Sequence, residues 1–321
     1  MIIVVIGLGS MGKRRIRLIK EMYPNYTIIG IDGRPDRKEE TSKLLGIKCV
    51  DSIDSVHKAD CAFICTSPLS HNGLIRECLL KGWNVFTELN LVPNGYEENI
   101  ALAKAQNKTL FLSSTFLYRE EIRYIRSKVT EDKKWNYSYH IGQYLPDWHP
   151  WESYRDFFLG DKRTNGCREI MAIEFPWIIE AFGEAECVHV LSDKLTGLNI
   201  DYKDNFFIQV QHKNGNKGAI IVDVVSPVAV RKLEIYSEGA YICWNGTPDS
   251  LAEFDTNSKK LVPVTLMEQA EHIEGYSAFV VENAYRNEIR EFFDVVNGVI
   301  PEKYGFEQDL KILKLIDTIG A

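Results

Sequence analysis

The chain opens on an apolar run, Ile2-Ile3-Val4-Val5-Ile6, that breaks into Gly7-Leu8-Gly9-Ser10-Met11-Gly12. A basic, helix-patterned stretch from Lys13 to Ile19 follows at once. A buried strand, a glycine turn and a helix start in this order can hold a dinucleotide pyrophosphate. Gly7 permits the tight turn, Gly9 lets the backbone approach phosphate, and Gly12 lets the helix pack closely on the strand. The six-residue turn offers backbone N–H groups, and the helix start adds a positive dipole end. A second strand pattern, Tyr26 to Ile31, ends in Asp32, placed about 20 residues beyond the glycines to accept the hydroxyls of an adenosine ribose. That favours NAD. Arg34 and Arg37 follow closely and can receive a 2′-phosphate, so NADP stays open.

Composition narrows the class. At 321 residues the chain suits two domains, and 45% apolar with 26% charged residues is ordinary for a globular protein. A net charge of −7 argues against general nucleic-acid binding. No apolar run reaches membrane-spanning length, and the first strand starts at residue 2, so the expectation is a cytoplasmic protein without a leader. Seven scattered cysteines form no CxxC or Cys/His cluster; reduced thiols and no metal site are expected.

The first third alternates strand and helix patterns. Strands are expected at 2–6, 26–31, 47–50, 61–65, 84–87 and 109–113, with helices at 11–22, 36–45, 71–81 and 96–106. This pattern predicts an α/β class, doubly wound parallel sheet over 1–117. Past Tyr118, period-two segments appear at 135–144, 206–212, 218–225 and 232–242, with Asn214-Gly215 as a hairpin turn. A helical pattern at 167–182 interrupts them, and two more follow at 281–297 and 306–319. Residues 118–321 are expected to form an α+β domain with an open, mainly antiparallel sheet.

Two further landmarks follow the fourth and fifth strands: Cys65-Thr66-Ser67-Pro68-Leu69-Ser70-His71 and Thr87-Glu88-Leu89-Asn90. With the glycine turn and the Tyr285–Ile319 ending, the whole chain resembles the Gfo/Idh/MocA family of NAD(P)-dependent oxidoreductases. The resemblance implies a Rossmann domain, an α+β domain whose sheet face makes a homodimer or homotetramer, and sugar or nucleotide-sugar substrates. It implies that Thr66, Ser67, Pro68 and His71 border the nicotinamide half, with Glu88 nearby; His71 equally fits a capping role. The family usually carries Glu-Lys-Pro where this chain has Glu88-Leu89-Asn90, and Leu89 cannot move a proton. The family's second-domain Asp and His, four apart, match Glu169 and Ile173, or Glu174 if the register slips by one. Both usual proton-handling groups are replaced.

Substitutes are sought just ahead of and within that helix. The stretch from Gln143 to Asp156 is dense in aromatic and titratable residues. Trp148, Trp151 and Tyr154 offer flat faces suited to a sugar, or a loop pinned by aromatic packing. His149 is the leading acid/base candidate, its free pKa lying near neutrality. Glu174, inside an apolar helical stretch, is the second, and Tyr154 the third. Arg155, Lys162, Arg163 and Arg168 can receive a carboxylate or phosphate, or form a solvated charged loop. Trp148, Trp151, Arg155, Arg168 and Glu169 make the candidate substrate set. Short motifs here resemble a branch associated with surface-polysaccharide and nonulosonic acid pathways. The expected activity is hydride transfer to or from a carbinol or ketone of an acidic or nucleotide-linked sugar. An epimerase, lyase or glycosidase type using transient oxidation, or a silent NAD- and sugar-binding protein, are the alternatives.

Overall fold

The computed structural model describes residues 1–148, 153–266, 271 and 279–321. The chain divides into two compact units, Met1–Ser114 with Tyr285–Lys311, and Thr115–Ala284 with Ile312–Ala321.

The first unit is built on six parallel strands: β1 (Ile2–Ile6), β2 (Thr27–Ile31), β3 (Lys48–Val50), β4 (Cys61–Ile64), β5 (Asn84–Thr87) and β6 (Leu110–Leu112). Their order is β3-β2-β1-β4-β5-β6. Helices α1 (Ser10–Met22), α2 (Pro35–Leu45), α3 (His71–Leu80) and α4 (Tyr96–Gln106) alternate with them. Central strands covered on both faces must be apolar on both faces, and Val4, Val5, Cys61, Ala62, Phe63 and Ile64 are all fully buried. The chain winds one way from β1 to β3 and the other way from β4 to β6. The crevice at this reversal, between the carboxyl ends of β1 and β4, is where such sheets bind ligands.

Segment 285–311 completes this unit with most of helix α7 (Glu282–Val296). Phe292 lies edge-on to Phe63, Phe86 and Phe111, with ring centroids 5.1–5.6 Å apart. Beside this aromatic layer, Arg15 of α1 is completely buried. It donates to both carboxylate oxygens of Glu88 at 2.6 and 3.1 Å, and to Glu288 at 2.6 Å. Glu288 also accepts from the Ser113 hydroxyl and the Ser114 N–H. Burial works against the Arg15 charge, but the two carboxylates more than offset it. Burial likewise pushes the Glu288 carboxyl up.

The second unit holds an eight-stranded sheet and the helices α5 (Glu120–Lys128) and α6 (Gly166–Phe182). Its strands are β7 (Asn136–Gly142), β8 (Ala185–Asp193), β9 (Asn205–His212), β10 (Lys217–Asp223), β11 (Val230–Ser237), β12 (Ala240–Trp244), β13 (Ala252–Asp255) and β14 (Lys260–Pro263). They run in the order β14-β13-β12-β11-β7-β10-β9-β8. All pairs are antiparallel except β7 with β10. The last helix, α8 (Phe306–Ile319), is shared between the units by residue number.

The segment 232–242, expected as one strand, is a hairpin. Gly239 at φ +68° turns β11 back on β12, a conformation a glycine adopts without a Cβ clash. Strand β8 and helix α5 were not expected. Two of the Asn214-Gly215 neighbours, β9 and β10, pair antiparallel as the turn requires. On one face of this sheet the register aligns Leu191, Phe207, Ile221, His140 and Lys232 in a row across five strands. Leu191 is 78% and Phe207 49% exposed.

Replacing Arg15 by Met leaves two carboxylates facing each other in the interior of the first unit. The expected cost is about 3–5 kcal/mol, because a buried pair is broken from one side. Urea unfolding followed by circular dichroism measures it.

Candidate functional site

In the first unit, the glycine turn is fixed by contact. Gly7 has φ +91°, and a Cβ there would lie 2.7 Å from the Cys65 carbonyl oxygen. A Cβ on Gly12 would lie 1.9 Å from the Gly7 carbonyl oxygen, so α1 can only start this close to β1 with glycine at position 12. Gly9 differs: a Cβ there would meet nothing nearer than Arg37 at 3.8 Å. Its use is therefore an open approach rather than a tight fit. The first intrahelical bond of α1 is Lys13 N–H to the Gly9 carbonyl. The N–H groups of Ser10, Met11 and Gly12 have no helical acceptor. No side chain caps this end, and no acidic residue lies in its first turn. An anion is the partner such an end accepts best.

Asp32 is part of the same construction. Its Oδ2 accepts from Leu8 N–H at 2.8 Å and its Oδ1 from Arg34 N–H at 2.9 Å. Leu8 thus contributes by holding Asp32 against the turn, while its buried side chain packs on β2 beside Gly30. Arg37 stands 3.9 Å from Asp32, and Arg34 pairs with Asp36 at 2.5 Å.

At the ends of β4 and β5, Thr66 Oγ1 and Ser70 Oγ are 2.7 Å apart, and Ser67 is exposed beside buried Pro68. His71 is buried, with Nε2 3.0 Å from the Thr66 carbonyl and Nδ1 2.5 Å from the Asn90 amide. Burial lowers its pKa, so the ring is neutral. Its Nε2–H donates to Thr66, and Nδ1 must then accept. This calls for the Asn90 amide to present its nitrogen to His71, the orientation that partners the otherwise unsatisfied Asn90 Nδ2. His71 and Asn90 together brace the turn after β4 against the turn after β5. Glu88 gives both oxygens to Arg15, and Leu89 beside it is half-buried.

The second unit gathers another set around the start of α6. Asn165 caps the helix by accepting from Arg168 N–H at 2.8 Å. Trp148 donates from Nε1 to the Gln143 carbonyl at 3.2 Å, and its ring lies over the first turn at Gly166. Trp148, Tyr154, Phe157, Leu145 and Leu159 line one small cavity. The Tyr154 hydroxyl accepts from Asn199 N–H at 3.2 Å, and the adjoining Arg155 guanidinium holds its pKa below the usual range. Between Gly166 and Ile178, every residue is buried except Glu169 and Ile173. Four positions apart, they share one face of the helix. Burial pushes the Glu169 carboxyl up to about 8.

Two candidate residues have structural duties instead. Glu174 is fully buried and accepts from Tyr139 at 2.9 Å, Trp177 Nε1 at 2.7 Å, and Arg231 at 3.0 and 2.6 Å. It locks α6 to β7 and β11; a group enclosed by four donors is poorly placed for proton exchange with a ligand. Arg168 donates at 2.8 Å to Asp317 and at 2.7 Å to the backbone oxygen of Ala321, tying the segment 317–321 to α6. Arg155 stays exposed, and Arg163 pairs with Asp161 at 2.8 Å. His149 and Trp151 lie outside the described residues. The sequence offered no sign of the Arg15 or Asn90 networks, since their partners lie tens to hundreds of positions away. Among the described residues, no group of three His, Cys, Asp or Glu side chains could hold a metal ion, and no helix is long and apolar enough to cross a membrane.

Residues 1–114 match the Gfo/Idh/MocA model, described as an oxidoreductase family with an NAD-binding Rossmann fold. The match covers the segment that carries the parallel sheet and leaves the second unit outside it. The glycine turn, the bare helix end and Asp32 fit the dinucleotide that this description names. Human biliverdin reductase A is 27% identical over 131 residues, which are 40% of this chain and 44% of that protein. The match thus spans less than half of the curated relative. A levoglucosan dehydrogenase solved with NADH superposes with a TM-score of 0.81 at 13% identity, covering 100% of this chain and 96% of that one. The WlbA dehydrogenase from Bordetella pertussis, solved with NADH and UDP-GlcNAcA, superposes with a TM-score of 0.75 at 12% identity, covering 99% and 94%. At these identities the likeness is one of fold.

Glu174→Leu strips a buried guanidinium and two further donors of their acceptor. The expected destabilisation is about 3–5 kcal/mol, read from the shift in the denaturant midpoint, with NADH binding by the folded protein retained.

Proposed function

We propose that the protein is an NAD(P)-dependent oxidoreductase acting on a carbinol or ketone of a sugar, and that the sugar is acidic or nucleotide-linked. The observation that carries the cofactor half is the glycine turn held against Asp32, with three unpaired helix N–H groups above it. Bound nicotinamide supplies or accepts the hydride. The substrate half rests on the second unit, where Trp148 and Tyr154 offer aromatic faces around one small cavity, and Arg155 offers an exposed guanidinium. Aromatic faces suit the C–H faces of a sugar ring, and a guanidinium suits a carboxylate or phosphate. The fold shared with dehydrogenases solved with UDP-GlcNAcA or named for levoglucosan supports a sugar. His149 and Trp151 belong to the same proposal on sequence grounds alone.

Asp32 favours NAD: a carboxylate placed for ribose hydroxyls repels a 2′-phosphate. Asp32→Ala is expected to weaken NADH binding about tenfold, a loss typical of a charged hydrogen bond, while NADPH binding holds or improves. Fluorescence titration of both cofactors reads the ratio; an unchanged ratio refutes the preference. The activity is tested by following NADH fluorescence against a panel of nucleotide sugars, UDP-GlcNAcA included, and nonulosonic acids. Wild-type protein that turns over none of them contradicts the proposal.

The sheet face carrying Leu191, Phe207 and Ile221 supports self-association through the second unit, since a contiguous apolar row on a strand face is a contact surface. Phe207→Glu is expected to lower the mass measured by light scattering to that of one chain. A wild-type protein already monomeric at that concentration removes this part of the reading.

A further inference from the structure

The Tyr154 ring forms one wall of the small cavity it shares with Leu145, Trp148, Phe157 and Leu159. Its hydroxyl reaches the loop between β8 and β9, where it accepts from Asn199 N–H at 3.2 Å. An oxygen that accepts keeps its own hydrogen to give, and among the described residues no acceptor takes it. The side-chain charges around this hydroxyl are positive. The Arg155 guanidinium lies 5.8 Å from the Tyr154 ring centre, and Lys194 is the first residue of the loop that carries Asn199. Arg155, the Asn199 N–H and Lys194 hold the hydroxyl's pKa below the usual tyrosine range, with no carboxylate among the groups that shift it most. Both cations are exposed, and among the described residues neither has an ion-pair partner.

Both segments are held from behind. Asp204 is fully buried and accepts from Leu195 N–H at 2.7 Å, Thr196 N–H at 3.0 Å and the Thr196 hydroxyl at 2.5 Å. That fixes the start of the loop, next to Lys194. Tyr202 donates to the Leu159 carbonyl at 2.8 Å and ties the end of the loop to the chain just beyond Tyr154. A Cβ on Gly160 would lie 2.7 Å from the Tyr154 carbonyl oxygen, so residues 154–155 pack against a position that only glycine can fill. The carboxylates of the two segments do not neutralise the cations. Asp161 pairs with Arg163 at 2.8 Å, Asp204 serves the loop, and Asp156 and Asp201 are exposed.

A hydroxyl hydrogen, a guanidinium and an ammonium that share no acceptor call for an anion. We propose that Tyr154, Arg155 and Lys194 form the receptor for the anionic group of the substrate, a carboxylate or a phosphate. Arg155 can grip two oxygens of either group, and Lys194 adds a compact charge. Tyr154 gives a hydrogen bond to the anion, a binding duty in place of the acid/base role its residue type suggests. All of these groups belong to the second unit, so the receptor is complete without any residue of the first. It rests on the acidic or nucleotide-linked sugar proposed above and names the side chains that select the charge.

The test is binding to NADH-saturated protein, in which the dinucleotide cradle is already occupied. Glucuronate, glucose 1-phosphate and glucose are titrated by isothermal calorimetry. One or both charged probes should bind at millimolar concentration and weaken as salt rises, while glucose should not bind. Glucuronate alone assigns the anion to a carboxylate on the sugar, and glucose 1-phosphate alone assigns it to a phosphate. Lys194→Gln and Arg155→Gln should each weaken the charged probe about tenfold, the loss of one charged hydrogen bond. Tyr154→Phe, which keeps the ring and removes only the hydroxyl, should weaken it as well, with melting temperatures unchanged throughout. Failure of both charged probes, or variants that bind them like wild type, overturns the receptor. Turnover on the sugar panel is read separately. Binding that depends on Lys194 without any turnover keeps the receptor and removes the proposed activity. Turnover of neutral sugars that Lys194→Gln leaves unchanged keeps the activity and removes the receptor.

Discussion

A single buried guanidinium organises the first unit. Arg15 sits on the first helix, yet its charge is shared between Glu88 at the end of β5 and Glu288 on α7, with Ser113 at the end of β6 alongside. A charge so enclosed is tolerable only while every partner stays in place, so three separate chain segments are held in register by one side chain. The ion cluster lies under the carboxyl ends of the strands, the edge at which the dinucleotide cradle is built. It also draws in segment 285–311, whose Phe292 completes the aromatic layer over β4, β5 and β6. The cradle is therefore rigid from below, and the glycines above can be tuned to the ligand alone.

The two carboxylates of α6 show how burial divides labour along one helix. Glu174 and Glu169 both occupy a largely apolar helix, and residue type alone does not separate them. Four donors converge on Glu174 because β7 and β11 present Tyr139 and Arg231 on the inner face of the sheet. Among the described residues no donor reaches Glu169, which faces the open stripe. One carboxylate becomes a fastening of helix to sheet, and the other is left with an uncompensated desolvation.

Local patterns were legible because their causes are local. All six strands of the first sheet and the four helices between them were readable from apolar runs and their spacing, since each strand is covered on both faces and each helix starts beside a turn. Helix α6 was readable for the same reason. What escaped was set by distant partners. Strand β8 exposes every second residue on one face, including Leu191, and has few buried neighbours to mark it. The β11–β12 hairpin depends on one glycine, Gly239, at positive φ within an otherwise continuous alternation. Glu174 read as a catalytic candidate because an acid in an apolar helix has a raised pKa if unpaired; the pairing comes from strands 35 and 57 positions away. Arg168 read as an anion receptor, and its acceptors include the Asp317 carboxylate and the backbone oxygen of Ala321.

The sequence by itself determined the dinucleotide cradle, because a glycine turn between a buried strand and a helix, followed by an acid after the next strand, has few other uses. It also put Leu89, a side chain that cannot carry a proton in any fold, where the family it resembles usually has lysine. Only the tertiary structure decided which acids remain free. Whether a carboxylate is a fastening or a reagent depends on how many donors surround it, and those donors are brought together from across the chain.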